Sequence, residues 1–545
     1  MKRSSLYRRA RRHDVSTSRI LESLERRALF SANVVGSVSN GILSLKGDNY
    51  NDSIVIDQAG LSGTQVRVSS GDGKTLINGQ SASVIFSNIT GLSINAYSGN
   101  DTIAINNANI TNSVAITGTT GNQIITLTND NVGGNLSVTS GGGQNSTDIE
   151  STQITGTVTV NVGAGYSTSC NPCWGGSSFA NANEIFTLGN ATVNGDLSIS
   201  NASGETTTTF NNSIAAGNVT VTNGANSYGG CNFNCHSDCH GNTLNSGDSF
   251  TMNGSTIIND LTISNASDGN SVDLESSVVI GNVSVSNVVK STNQSSFCCN
   301  NTYNLASAAD SFTMNESLVG ADLGISNISD GATATFTNAT ISGNVSINNG
   351  VGSYGQGYTT CCGQNSDSFG DFLTMNGANL GGGLTVNNGS TYNSSDLEST
   401  LISGDITVGN GLNYLTTTTT TTSHGCCGSA CGTSTRYVVT TDIFTMNGTN
   451  VAGNVNVANA NGYTDTTIDN SLIGNSVVLT NASGTAVFEM SYTIVGYNLT
   501  FTAGKGSTTA TVTSSDIGVN ATFNVTVGAS VTISPSDVGG QVVIS

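Results

Sequence analysis

The chain has 545 residues, of which 67 are Gly and only 9% are charged, and its formal net charge is −20. The low charge argues against a charge-driven disordered chain, and abundant Thr, Val, Asn and Gly argue against a helical protein. No apolar run approaches the ~18 residues of a membrane-spanning helix, so the sequence predicts no membrane span.

The charge is divided unevenly between a short N-terminal head and the rest of the chain. Residues 1–32 carry nine Lys or Arg and three acids, a net charge of +6, so the remaining residues carry −26. Such an acidic body should repel nucleic acid, because it lacks the basic patch that phosphate binding needs. We therefore predict no nucleic-acid partner and interpret residues 1–35 as a basic sorting segment.

The head ends in the segment Leu24-Glu25-Arg26-Arg27-Ala28-Leu29-Phe30-Ser31-Ala32. This segment resembles the LEPR-XLL signature found near the N-termini of large exported proteins of planctomycete bacteria, with Arg26 where the signature has Pro and Phe30 where it has Leu. The resemblance implies export to the cell surface or beyond. The sorting residues that it assigns are Leu24, Glu25, Arg27, Leu29, Ser31 and Ala32. The alternative is a basic amphipathic helix with no sorting role.

A block of the form apolar-x-apolar-x-Asn recurs along the body. In pairs such as Leu197–Asn201 and Val219–Asn223 the final Asn residues lie 22 residues apart. Alternation of period two predicts strands with one buried face, and a short strand buries that face only when another coil stacks on it. The sequence therefore predicts an all-β fold, a right-handed parallel β-helix (a β-solenoid) with about 18 coils of about 22 residues.

Longer steps between successive pairs predict a long insertion at one corner of every second coil. The predicted divisions are N-terminal coils over 36–122, coils with five Cys-rich insertions over 123–441, and C-terminal coils over 442–545. The first and last sets are predicted to carry no long insertion. A second family of strands, Phe-Thr-Met at 250–252, 312–314 and 444–446, predicts a ladder of buried side chains, because filling a core is the usual role of Met.

All twelve Cys lie in the five insertions. These candidates for disulfide bonds are Cys170, Cys173, Cys231, Cys235, Cys239, Cys298, Cys299, Cys361, Cys362, Cys426, Cys427 and Cys431. In an exported protein they would oxidise and staple loops that have little apolar core of their own. We predict that most are disulfide-bonded, with at least one bond between different insertions. A reactive thiol at Cys170-x-x-Cys173 is the least favoured alternative, because no thioredoxin-like context surrounds it.

One insertion offers a metal site as a further alternative to the disulfides. Cys231, Cys235, His236, Cys239 and His240 supply five soft ligands within ten residues, and zinc needs four. Their spacing matches no standard zinc signature. The predicted cofactor is therefore none, with zinc kept as an alternative.

Weak calcium binding is a second metal alternative, located near the start of the body. Gly99-Asn100-Asp101-Thr102-Ile103 and Asn51-Asp52-Ser53-Ile54 resemble fragments of the calcium-binding G-G-x-G-x-D repeat of RTX proteins. No tandem of complete nonapeptides is present, so the pattern has low specificity.

Acidic residues recur at matching positions along the coils. The pairs Asp148/Glu150, Asp273/Glu275 and Asp396/Glu398 are predicted to share an outward face, and Asp196, Asp260 and Asp322 to share one coil position. A glycosidase needs two carboxyl groups in different protonation states, and outward carboxylates in water lack the burial that separates their pKa values. We therefore predict a solvated acidic face, no catalytic residue and no enzymatic activity.

These features predict an exported, non-enzymatic β-solenoid that acts as a structural or adhesive element at the cell surface or outside the cell. Its predicted partners are components of the cell envelope or the extracellular surface, glycans among them. Two alternatives stay open. One is a polysaccharide-active β-helix enzyme, and the other is a metal-binding surface protein that uses the Cys- and His-containing loops.

Overall fold

The computed structural model describes residues 32–163, 183–202, 205–224, 247–267, 269–287, 309–327, 331–350, 370–390, 392–411, 441–460, 462–526 and 528–545. Within these ranges the chain forms strands and turns and no helix. Accordingly, no described segment is a helix long and apolar enough to cross a membrane. The sorting signature up to Ser31 and all twelve Cys lie outside these ranges.

Each complete coil gives one strand to each of three sheets, which we number in the order that the chain visits them within a coil. Sheet 1 contains Ser53–Asp57, Val66–Ser70, Val84–Phe86, Asp101–Asn106, Gln123–Thr128, Asn145–Glu150, Asn183–Gly189, Glu205–Asn211, Ser249–Asn253, Ser271–Glu275, Asp310–Asn315, Ala332–Thr337, Asp371–Asn376, Tyr392–Glu398, Thr441–Asn447, Tyr463–Asp469, Ala486–Ser491, Thr508–Thr513 and Ser530–Ile533. Sheet 2 contains the two-residue strands Asn109–Ile110, Asn131–Val132, Gln153–Ile154, Thr192–Val193, Ile214–Ala215, Thr256–Ile257, Val278–Val279, Leu318–Val319, Thr340–Ile341, Asn379–Leu380, Leu401–Ile402, Asn450–Val451, Leu472–Ile473, Ile494–Val495, Asp516–Ile517 and Asp537–Val538. Sheet 3 contains Asn33–Ser39, Ile42–Lys46, Leu76–Ile77, Gly91–Ser98, Val114–Thr120, Leu136–Ser140, Val158–Val162, Leu197–Asn201, Val219–Asn223, Leu261–Asn265, Val283–Asn287, Leu323–Asn327, Val345–Asn349, Leu384–Asn388, Ile406–Asn410, Val455–Asn459, Val477–Ser483, Leu499–Lys505, Ala521–Asn524 and Val542–Ile544.

The coils stack in register, with parallel pairing between successive coils. Asn201 pairs with Asn223, 22 residues later, and Asn223 pairs with Asn265 across an insertion, 42 residues later. Eighteen strands of sheet 3, from Ile42–Lys46 to Val542–Ile544, belong to this stack. At ~4.8 Å between strands the described rod is about 80 Å long. The predicted parallel β-helix of 22-residue coils is confirmed.

The interior is built from the inward residues of the alternating strands. Ile263 and Val285 of sheet 3 are fully buried, as the sequence pattern predicted, and so are Phe250 and Met252 of sheet 1. Phe250 and Phe312 occupy one inward column, separated by Val272 of the coil between them. Burying such side chains contributes about 1.5–3 kcal/mol each, so the repeat of apolar pairs supplies most of the stability of the stack.

The turn from sheet 1 to sheet 2 uses a left-handed residue at one recurring position. Asn190 has φ 48°, Asn212 has φ 49°, Gly254 has φ 58° and Asn338 has φ 49°. Gly and Asn adopt this conformation at little cost, because Gly lacks a Cβ and the Asn side chain bonds locally. The turn thus explains why Asn or Gly often follows the long strand, while Ser276, Glu316 and Tyr492 hold the same conformation in other coils.

Residues 58–90 depart from the coil pattern, because they add a long excursion to an early coil. Lys46 pairs with Asn95, 49 residues later, which is 27 more than one coil. The excursion contains Val66–Ser70 and Val84–Phe86, which pair antiparallel. The prediction that 36–122 carries no long insertion is therefore wrong. Hairpin pairing needs no 22-residue spacing, so the repeat did not reveal this segment.

Candidate functional site at the insertion corner

Five long segments leave the coil at one corner, where sheet 3 ends and sheet 1 begins, and we call it the insertion corner. They are residues 164–182, 225–246, 288–308, 351–369 and 412–440, which lie outside the described ranges. They alternate with tight turns at the same corner, so their roots stand two coils apart, about 10 Å along the rod. This spacing confirms an insertion at every second coil in this part of the chain.

The predicted disulfide and zinc residues belong to these segments. All twelve Cys, together with His236 and His240, lie outside the described residues, so disulfide bonding and zinc binding stay predictions. Within the described ranges, no group of three or more His, Cys, Asp or Glu side chains is placed to hold a metal ion.

The sheet 3 side of the insertion corner carries a stack of side-chain amides, all buried except the partly exposed Asn349, which we call the amide ladder. Its members are Asn201, Asn223, Asn265, Asn287, Asn327, Asn349, Asn388, Asn410, Asn459 and Asn481. The Nδ2 of Asn201 donates to Oδ1 of Asn223 at 2.8 Å, and seven more bonds of this kind lead to Asn459. From Asn223 to Asn410 each amide both donates and accepts, so this part of the repeat satisfies its own polar groups. At the end of the ladder Nδ2 of Asn481 donates to Oγ1 of Thr464, and its Oδ1 has no partner among the described residues.

The sheet 1 side of the corner carries buried carboxyl groups, which we call the acid ladder. Its members are Glu184, Asp248, Asp310, Asp371 and Asp442, and each is at most 3% exposed. Each one occupies the first inward position after one of the five insertions. In register between them lie the neutral residues Thr206, Asn270, Ala332 and Asn393, each of which follows a tight turn. After every insertion the chain therefore rejoins the coil at a buried acid.

Neighbouring coils supply the hydrogen bonds of the acid ladder. The Oδ1 of Asp248 accepts from the backbone N–H of Thr206 at 3.2 Å and from its hydroxyl at 2.7 Å. The Oδ1 of Asp442 accepts from Nδ2 of Asn393 at 2.8 Å. The Oε1 of Glu184 accepts from Nδ2 of Asn145 at 3.3 Å, while its Oε2 has no partner among the described residues.

Burial shifts the titration of these groups. It raises the pKa of Asp371 and of Asp442 to about 6 and that of Glu184 to about 8. Burial also raises the pKa of Asp248, and the charge of Glu205 acts in the same direction. Because an isolated charge is costly in a buried position, the neutral acid is favoured there.

The repeat pattern did not predict the acid ladder, although the sequence carries a signal of it. In each case the acid stands two residues before the first inward apolar residue of the following strand, as in Asp248-Ser249-Phe250 and Asp442-Ile443-Phe444. Because inward positions recur every second residue in a strand, this spacing places the acid on the buried face. The recurrence of this spacing directly after every insertion was the evidence in the sequence for a row of buried acids.

The outward acid pairs occupy sheet 1, as predicted, but their burial differs from the expectation. Glu275 accepts two bonds from Nδ2 of Asn315, at 3.0 and 2.9 Å. Burial, with the charge of Glu275 as a second cause, raises the pKa of Asp273, and Asp148 beside Glu150 shows the same shift. The expectation that these acids lack burial was therefore wrong for Asp148 and Asp273. Neighbouring coils above and below cover part of each side chain. The third pair, Asp396/Glu398, lies exposed on the same face.

Asp196, Asp260 and Asp322 occupy one coil position, as predicted, at the corner between sheets 2 and 3. Each accepts the backbone N–H of the residue one coil later: Asn218 at 2.8 Å, Asn282 at 2.8 Å and Asn344 at 2.7 Å. These exposed carboxylates stabilise the turns of the next coil.

The residues considered for weak calcium binding form hydrogen bonds with neighbouring groups of the protein. Asp101 accepts from the backbone N–H of Asp52 at 2.8 Å and from Nε2 of Gln123 at 3.0 Å. The same Nε2 donates to the carbonyl of Gly99 at 3.1 Å. An amide thus bridges the carboxylate and carbonyl oxygens that a calcium ion would need as ligands. The geometry here does not favour calcium binding.

Comparison of the chain with protein-family models, with curated proteins and with solved structures gave no match.

Proposed function

We propose that the chain is an exported, non-enzymatic β-solenoid that acts as a structural or adhesive element at the cell surface. The observation that carries this proposal is the single row of five insertions. Their roots leave one corner of a stacked rod at two-coil steps, about 10 Å apart. A row of loops on a rigid scaffold is an arrangement suited to repeated contacts with an extended surface, because scaffolds position loops for binding.

The most direct test removes a loop and keeps the rod. Residues 225–246 are replaced by the chain's own tight turn Ala482-Ser483-Gly484, and binding to isolated cell-envelope material is measured by sedimentation. We expect the β-sheet circular dichroism to be unchanged and binding to fall. As the matched control, Thr222→Ser on the outward face of the same sheet should leave binding unaltered. Full binding by a variant in which all five loops have been replaced would contradict the proposal.

Export is proposed from the basic head and its signature. Removing residues 1–32 should leave a folded body that is retained inside the cell, because the sorting residues Leu24, Glu25, Arg27, Leu29, Ser31 and Ala32 are lost with it. Normal export of the truncated chain would reject the sorting role.

Disulfide bonding of the loops is proposed because polar insertions have little else to order them. Ordering a residue costs about 1–2 kcal/mol in backbone entropy, which loops of this composition do not recover by apolar burial. Peptide mapping without reduction, on protein from its native compartment, should find most of the twelve Cys bonded. Twelve free thiols without metal would contradict it. Stoichiometric zinc bound through Cys231, Cys235, Cys239 and His240 would instead favour the metal-binding alternative.

A polysaccharide-active enzyme is the second candidate, and one observation favours it. Asp273 has a raised pKa beside Glu275, whose carboxylate is held by Asn315, so the two acids differ in environment as an acid–base pair would. Turnover of acidic or neutral polysaccharides that disappears in both Asp273→Asn and Glu275→Gln would establish this alternative. Absence of turnover across the panel is the result expected under the structural proposal.

A further inference from the structure

The tight turn that follows Asn265 contains a serine with two hydrogen-bond acceptors beside it. The Oγ of Ser267 lies within hydrogen-bond distance of Oδ2 of Asp248 and 2.8 Å from Oδ1 of Asn270. A serine hydroxyl carries a single proton and donates to one of them. If Asp248 were ionised, one of these two contacts would bring acceptor against acceptor in a buried position.

The orientation of the Asn270 amide is set by its other partners. Its Oδ1 accepts the backbone N–H of Asp248 at 3.1 Å, and its Nδ2 faces the carbonyl of Ser267 and Oδ1 of Asp310 at 3.0 Å. The atom turned toward the serine hydroxyl is therefore an acceptor. The hydroxyl of Ser267 donates to Asn270, so the proton between Ser267 and Asp248 has to come from the aspartic acid.

The same arrangement recurs two insertions along the ladder, in different sequence surroundings. The Oγ of Ser390 lies within hydrogen-bond distance of Oδ2 of Asp371 and 3.0 Å from Oδ1 of Asn393. The Nδ2 of Asn393 donates to the carbonyl of Ser390 at 3.0 Å, which again leaves its Oδ1 facing the hydroxyl. Two independent turns thus place one Asp, one Ser and one Asn in the same order.

We propose that Asp248 and Asp371 are neutral carboxylic acids whose O–H groups donate to Ser267 and Ser390, and that loss of this proton releases the adjoining tight turn. We call each pair an Asp–Ser latch. On ionisation the serine hydroxyl turns to the carboxylate, and the side-chain carbonyl of the Asn loses the hydrogen bond from the serine. The buried charge then favours opening of the corner next to the insertion that precedes each acid, residues 225–246 or 351–369.

The groups around the two latches set the pH range in which they open. The charge of Glu205, on the preceding coil, also favours the neutral form of Asp248. Asp371 is flanked in register by Ala332 and Asn393, so the next acids of the ladder, Asp310 and Asp442, stand two coils away.

Backbone N–H groups of Ser390, Ala332 and Gly389 oppose the effect of burial at Asp371, and the resulting pKa is about 6. A raised native pKa gives stability that is complete below the unfolded pKa, near 4, and is lost as the pH rises through about 6.

Hydrogen exchange of the turn amides tests the latches in the full chain. Exchange is followed at pH 5 and pH 8, with the intrinsic rate corrected, in peptides covering 261–275 and 384–398. The peptide 477–491 is an internal control, because Asn481-Ala482-Ser483 repeats Asn265-Ala266-Ser267 but the ladder residue of that coil is Thr464. At 384–398 we expect opening to increase on the order of 10-fold between pH 5 and pH 8, because pH 5 lies one unit below the native pKa of about 6. Little change is expected at 477–491.

The variant Asp371→Asn tests whether the pH-dependent opening of the turn depends on the carboxyl proton of Asp371. Its amide Nδ2 donates to the Ser390 hydroxyl at every pH but no longer accepts the backbone N–H of Ser390, so peptide 384–398 should open more readily and lose its pH dependence while 261–275 keeps it. Unchanged pH dependence at 384–398 in the variant would overturn the proposal. If the variant does not fold, the wild-type comparison still decides: equal pH response in 261–275, 384–398 and 477–491 would overturn it as well.

Discussion

The amide ladder and the acid ladder line the two sides of one corner, and they solve the problem of buried polarity differently. Every Asn of the amide ladder has a donor and an acceptor, so identical residues continue from Asn201 to Asn459 without interruption. A carboxyl group has no donor unless it is protonated. In the acid ladder Asp248, Asp310 and Asp371 therefore alternate with Asn270 and Ala332, so no two acids face each other in successive coils.

One side of the corner is therefore insensitive to pH, and the other is not. The amides remain neutral throughout the accessible range, whereas burial keeps the acids neutral only up to about their raised pKa values. The insertions re-enter through the pH-sensitive side. The coil stack thus combines a permanent stabilising row with a row whose stability depends on protonation, both at the base of the same loops.

Stability should fall most when a carboxyl group replaces a side-chain amide in the amide ladder. Asn388→Asp removes the donor to Oδ1 of Asn410 and places a charge in a buried position. We expect the free energy of unfolding to fall by about 4 kcal/mol at pH 8, because a buried charge would lack a partner. Urea unfolding followed by circular dichroism measures it.

The adjacent residue provides the matched control for that change. Asn387 lies on the same strand with its side chain exposed on the outward face. Asn387→Asp should change the free energy of unfolding by no more than about 0.5 kcal/mol, as surface substitutions usually do. Equal effects of the two substitutions would show that the amide ladder has no special role.

The converse substitution, an amide in place of a carboxyl group, removes one pH-sensitive member of the acid ladder. Glu184→Gln replaces a group whose pKa is about 8 by a neutral amide of similar shape. Relative to wild type, the variant should gain about 3 kcal/mol in the free energy of unfolding between pH 5 and pH 8, because only the wild-type side chain binds a proton more tightly in the folded state and loses that stabilisation as the pH rises. Denaturant midpoints across this range measure it, and parallel pH profiles would contradict the assignment.

The smallest expected effect concerns a solitary acid at the turn from sheet 1 to sheet 2. Asp130 accepts the backbone N–H of Ala108 at 2.7 Å, but its Oδ2 has no partner among the described residues, and burial raises its pKa to about 7. Other coils use serine at this position, as at Ser213 and Ser255. Asp130→Ser should stabilise the chain by about 1 kcal/mol at pH 8 and little at pH 5. Destabilisation at pH 8 would show that the carboxylate is required.

The sequence predicted the features that repeat with a fixed period and missed those that do not. The Asn-terminated blocks gave the 22-residue coil, the inward face at Ile263 and Val285, and the position of the insertions. The antiparallel excursion over residues 58–90 was missed because hairpin pairing leaves no coil spacing in the sequence.

The acid ladder was missed for a different reason, which is chemical. Asp and Glu are rarely buried, so the sequence alone suggests that Asp248 and Asp371 belong to the polar insertions that precede them. Their burial depends on donors from neighbouring coils, such as Thr206 and Ser390, which adjoin them only after the stack has formed. A sequence pattern that follows one coil at a time does not contain these contacts.

The most direct test of the account is the pH dependence of unfolding of the whole chain. Between pH 5 and pH 8 the denaturant midpoint of the wild type should fall, because Glu184, Asp371 and Asp442 bind protons more tightly when folded than when unfolded. The combined variant Glu184→Gln/Asp371→Asn should show a clearly flatter profile. A wild-type midpoint that stays constant or rises over this range, or a variant profile that parallels it, would contradict the account.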